Sequence, residues 1–178
     1  NPEKWEGSFA SGGPGNPTTG VVNLVTGRKL QLGLTQYGLT STSVGTSGGQ
    51  ARLAAVANPG TIIGMQAGVT VHQAAVDTCA GNTSTVIRAR AQIVGGFFND
   101  GSTGGGSDRT GDIIAGIQKI RDTILGDVIQ AFIVRCPDAS CSSTPGVAGQ
   151  DFITTWTPDE LHTISVLWDK PHKQFIYS

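Results

Sequence analysis

Three histidines, three cysteines and thirteen carboxylates are the groups in this chain best equipped for chemistry. His72, His162 and His172 stand far apart, and none belongs to an H-x-x-x-H or H-E-x-x-H pattern. The spacing that sets two imidazoles on one zinc ion is therefore missing, and each histidine reads as a strand or turn residue. Serines are plentiful, yet no G-x-S-x-G elbow exposes one of them as a nucleophile. The stretches GPGNPTTG and GSTGGGSDRTG lack the G-K-[ST] ending that carries a lysine to a phosphate. They read as surface loops.

Two local clusters are more specific. Calcium takes several hard oxygens from carboxylates, amides and backbone carbonyls, and Asn99, Asp100, Asp108 and Asp112 gather such groups in one Gly-rich stretch. Calcium is thus the cofactor this loop would admit, although the spacing is not that of an EF-hand and a solvated loop accounts for the same residues. Cys136 and Cys141 close the segment CPDASC, in which Pro137 and Asp138 favour a tight turn. The pair is expected to form a disulfide, which places the protein outside the cell, at the cell surface or in the periplasm. Cys79 is left over.

The elements that must position these groups are strands. Charged residues make up only 14% of the chain, against about 25% in an average soluble domain, and glycine is abundant at 26 residues. Short runs of Thr, Val and Ile between glycines suit pleated strands joined by many turns. Alternation places Leu30, Leu32 and Leu34 on one strand face. It likewise separates Val86, Arg88 and Arg90 from Ile87, Ala89 and Ala91. Val128, Gln130, Phe132 and Val134 oppose Ile129, Ala131 and Ile133, the pattern of a central strand covered on both sides. His162 to Trp168 and Lys173 to Tyr177 flank a turn and read as a hairpin. Further strands are expected at Val21 to Val25, Ala51 to Ala57, and Ile62 to Val76, the last broken at a glycine.

Ile113, Ile117, Ile120 and Ile124 recur at helical spacing. Gly116 within this run and Gly126 after it favour a strand hairpin instead, pairing Ile113 to Arg121 with Asp127 to Arg135. A length of 178 residues suits a single domain over 1–178, which is compatible with membership of a longer polypeptide. The net charge of −1 gives no field to attract nucleic acid. No apolar run is long enough for membrane insertion.

The order PEKW, GRKLQLGL, RARAQIVGGFFN, GDIIAGIQ, IQAFIVRC and ELHTISVLWDKPHKQFIYS resembles the concanavalin A-like lectin and glucanase superfamily, which includes laminin-G-like modules. The closing segment follows that superfamily's H-x-h-x-h-x-W-D pattern. The resemblance implies an all-β fold, an antiparallel jelly-roll β-sandwich whose concave face often meets glycans. Its glycanases carry Glu, Asp and Glu on one strand face, and a retaining mechanism needs two carboxylates about 5 Å apart. At the matching strand this chain offers Asp112, then Ile114 and Gly116 or Ile117, while Glu3, Glu6 and Glu160 fall in end or turn segments.

The expectation is therefore a non-catalytic extracellular binding module for carbohydrate or a protein surface. The alternative is a structural subunit of a surface assembly, homo-oligomeric or larger, and the least favoured is a glycoside hydrolase with another site. Glycan binding calls for rings and planar polar groups. Arg88, Arg90 and Gln92 on one strand face, with Trp156 in a turn-like setting, are the candidates, whereas Trp5 and Trp168 read as core aromatics.

Overall fold

The computed structural model describes residues 5–11, 18–27, 29–37, 49–55, 63–76, 88–102, 107–141 and 147–178. Among them there is no helix, and every strand pairing is antiparallel. The chain divides into two compact units, Asn1–Gly60 with Asp77–Ile87, and Thr61–Val76 with Arg88–Ser178.

In the first unit β1 (Trp5–Ser11) pairs with β4 (Gly49–Ala55), and β2 (Thr18–Thr26) pairs with β3 (Lys29–Tyr37). Leu30 and Leu32 share a face of β3, as alternation requires, but they are exposed rather than half-buried. Cys79 and the side chains of Trp5 and Leu34 lie outside the described residues.

The second unit contains two sheets. One runs β11 (Gln174–Tyr177), β10 (Leu161–Asp169), β5 (Gly64–Thr70); the other runs β6 (Arg88–Asn99), β7 (Asp112–Asp122), β8 (Gly126–Arg135), β9 (Val147–Thr155). Ile164 of β10 packs with Ile117 of β7, Ile129 of β8 and Trp156, and Val69, Ile93 and Tyr177 close around them. Side chains from the two sheets thus share one apolar core.

The glycine-interrupted isoleucine run is the strand β7. Its register against β8 puts Ile117 opposite Ala131 and Ile120 opposite Val128, so these two isoleucines face opposite sides of the sheet, and both are fully buried. Ile124 falls in the turn and is exposed, which is why the helical spacing does not describe a helix. Asp122 makes this turn tight, because its carboxylate accepts the Ile124 and Leu125 amides at 2.7 and 3.0 Å. Strand β5 differs from its sequence outline. It keeps Gly68 in the ladder and ends at Thr70, beyond which the Val71 carbonyl leaves the sheet to accept the Asp159 amide at 3.0 Å.

Gly116 is the closest steric constraint in β7. A Cβ there would stand 2.5 Å from the Phe132 ring and 2.8 Å from the Ile93 carbonyl oxygen, so the neighbouring backbone itself is in the way. Gly116→Ala is expected to destabilise the protein by about 1–3 kcal/mol, the usual cost of overpacking, read as a lower urea midpoint at constant m-value. An unchanged midpoint would show that the strand gives way without cost.

Candidate functional site

Strict alternation would send Phe97 and Phe98 to opposite faces of β6. The structure prevents this with a bulge: Gly96 pairs with Ile114, yet Phe98 pairs with the very next residue back along β7, Ile113. One extra residue turns the strand, so both rings reach the β10–β11 hairpin. Phe97 meets Phe175 edge-on at 5.0 Å, and Phe98 lies parallel to Phe175 at 6.3 Å and against Trp168 at 4.8 Å. Trp168 and Phe175 are direct cross-strand partners with rings 4.8 Å apart. The cluster reaches solvent. Phe98 is 38% exposed, and Trp168 and Phe175 are half-buried.

Polar groups border the rings on two sides. On the hairpin turn, Asp169 accepts from or pairs with His172 at 2.7 Å and takes the Gln174 amide at 3.4 Å. The turn itself closes by the Lys173 amide donating to the Lys170 carbonyl at 3.2 Å, with Pro171 at its first corner. Lys173 then adopts φ +52°, a left-handed conformation that costs an L-residue about 1–2 kcal/mol and that hairpins of this form ordinarily give to glycine.

On the other side lies the acidic loop. Asn99 donates to Asp112 and to the Thr110 carbonyl, each at 3.0 Å. Asp100 takes the Ser102 amide at 2.9 Å and pairs with Arg135 at 2.5 Å. Asp112 faces Arg109 at 3.5 Å, and Asp108 accepts the Thr110 amide at 2.9 Å. Gly111 joins these pieces. Its amide donates to the Cys136 carbonyl, its carbonyl accepts the Asp100 amide, and at φ +83° the side chains of Asp100 and Ser102 fill the space a Cβ would need. The Cys136–Cys141 disulfide is formed, and the loop it closes takes the Arg109 amide on Ala139. The four oxygen-bearing residues proposed for calcium are thus engaged with arginine, amide and asparagine donors. Among the described residues no three His, Cys, Asp or Glu groups gather at metal-binding distance.

The other sequence candidates are more scattered. Arg88, Arg90 and Gln92 do share the exposed face of β6. Arg88 is committed to a structural pair, at 2.5 Å from Asp122, whose side chain is fully buried. Trp156 is no exposed platform. It is 3% exposed, its indole N–H donates to the Ile120 carbonyl at 3.0 Å, and Lys119 and Arg121 lie over its ring. Burying the indole covers the end of β7, and the core gains more from that area than the surface would from a displayed ring.

On the β7 face where the resemblance would set carboxylates, Phe132 covers Gly116. Next to it Gln118 donates to Gln130 at 2.9 Å, both side chains being buried. Residues that alternation alone overlooked are Phe98 and Phe175; the paired glycines before Phe97 were the signal of a bulge. A scan of family models and searches of curated proteins and of solved structures find no match to this chain.

Hydrogen bonds from Ser102, followed by the pairing with Arg135, hold the Asp100 carboxyl down at about 2. Because the folded value lies below the unfolded value of about 3.9, Asp100 supports the loop fully above that pH and loses its hold as the pH falls toward about 2. The Ser102 amide NMR shift is expected to follow that titration, and Asp100→Asn to abolish it. A Ser102 shift that moves identically in the variant would exclude the pairing.

Proposed function

We propose that this protein is a non-catalytic carbohydrate-binding module of the concanavalin-like jelly-roll type. The observation that carries the reading is the solvent-reaching cluster of Phe98, Trp168 and Phe175, bordered by the Asp169, His172 and Gln174 side chains. Sugar rings present C–H faces to aromatic rings and hydroxyls to planar polar groups, and such a surface supplies both. The antiparallel sheets and the Leu161-to-Tyr177 hairpin support the jelly-roll assignment. The buried Gln118–Gln130 pair, standing where a retaining glycanase needs carboxylates, supports the absence of hydrolysis. The disulfide supports an extracellular, cell-surface or periplasmic location.

A structural role in a surface assembly has its own support. The outward face of the β11–β10–β5 sheet exposes Leu161, Leu167 and Ile176, an apolar surface of the kind that oligomers cover. Under this reading light scattering would report a stable oligomer and no glycan would bind.

Titration of polysaccharides against tryptophan fluorescence tests the leading reading. Phe98→Ala is expected to weaken glycan binding by about tenfold, the worth of one aromatic contact, and to lower the melting temperature by a few degrees because the ring packs on Trp168 and Phe175, so affinities are compared at a temperature where both forms are folded. Retention of full affinity in Phe98→Ala would remove the cluster as the binding surface.

A further inference from the structure

The turn that joins Trp168 to Phe175 is basic. Between them run Asp169, Lys170, Pro171, His172, Lys173 and Gln174. The single carboxylate of this stretch is taken up by His172 and Gln174. Among the described residues neither Lys170 nor Lys173 makes an ion pair, and both are exposed. On the far side of the rings the Asp100 and Arg135 charges cancel each other. The hairpin border of the aromatic cluster therefore carries uncompensated positive charge, whereas the loop border keeps an acidic excess, Asp108 making no ion pair among the described residues.

Lys173 occupies a left-handed position where glycine fits without strain. Strained conformations of this kind concentrate at ligand sites, where the side chain itself is needed. Trp168 and Phe175 face each other as a non-hydrogen-bonded cross-strand pair, the Trp168 amide donating instead to the Ile63 carbonyl, and Lys170 opens the turn two residues beyond Trp168.

We infer that the ligand of this surface is an anionic polysaccharide, its rings lying on Phe98, Trp168 and Phe175 and its carboxylate or sulfate groups meeting the ammonium groups of Lys170 and Lys173. This inference rests on the reading of the aromatic cluster as a glycan surface and specifies its charge. Lysine acts here as a point charge on a flexible stem, so it selects for negative charge on the sugar rather than for one linkage geometry. Salt must then weaken binding, because both lysines are solvent-exposed.

Calorimetric titration of the whole chain with polygalacturonate, with dextran sulfate and with neutral laminarin tests this. Polygalacturonate or dextran sulfate is expected to bind more tightly than laminarin, and to lose affinity as sodium chloride is raised. Whichever of the two binds assigns carboxylate or sulfate as the recognised group. Lys173→Gly is expected to keep or raise the melting temperature while weakening the anionic ligand by about threefold or more, the scale of one exposed charge pair, and Lys170→Ala to act alike. Equal affinity for laminarin, or unchanged anionic affinity in both variants, would overturn the charge assignment and leave the glycan surface standing. No binding of any of the three would remove the glycan reading itself. Loss of binding in Lys173→Gly together with a lowered melting temperature would mean that the turn had rearranged. Lys170→Ala, in which no left-handed residue changes, then decides.

Discussion

Strand β7 is buried on both faces, and that constraint governs the charged groups along it. Burial leaves a polar atom about 1–3 kcal/mol worse off if it finds no partner. Asp122 answers with Arg88 on one side and two turn amides on the other. Burial works to raise its carboxyl, and those three donors outweigh it, so the group is held below the usual range. Lys119 directs its ammonium to the Glu160 carbonyl at 2.7 Å and lies over Trp156, while burial pulls its basicity down. Arg121 reaches the Ala74 carbonyl and Asp127, whose pairing holds the guanidinium above its ordinary value. These contacts fasten β7 to the segment after β5, to the turn before β10 and to β8.

A strand pinned in this way sets the register of its neighbours. β6 follows it residue for residue until Gly96, and only there does the ladder slip. The slip comes where the loop after β6 must meet Gly111 and the disulfide-closed segment, both tied to the start of β7. The aromatic cluster is thus a product of two demands. The buried part of the sheet insists on alternation, and the loop end insists on one residue more.

Much of the architecture was legible because its signals are local. The β7–β8 pair and the closing hairpin were outlined by alternation and by the breaks at 122–126 and at Asp169 to His172. The disulfide could be read because four intervening residues that include a proline and an aspartate favour a tight turn. What could not be read depends on distant partners. Trp156 looks like a turn residue until its indole is seen to cap Ile120, thirty-six positions away. Arg88 looks like an outward cation until Asp122 is placed beside it. The Asn99-to-Asp112 loop has the composition of a cation site, but Arg135 and Arg109 reach its carboxylates from outside the acidic cluster or between its members. Phe98 was hidden for the opposite reason, since the bulge between Gly96 and Phe98 brings an outward residue of β6 against the hairpin rings.

Lys119 is 1% exposed and its amine already donates to a carbonyl, whereas Lys170 and Lys173 stand in water. Acylating reagents will therefore modify the hairpin lysines of the native protein and spare Lys119 until the sheets separate. Once acylated in an opened chain, that side chain carries extra bulk and no ammonium to offer Glu160, and the opened form has no route back to the same core. One buried amine thereby makes unfolding chemically irreversible under labelling, and a single peptide mass suffices to record it.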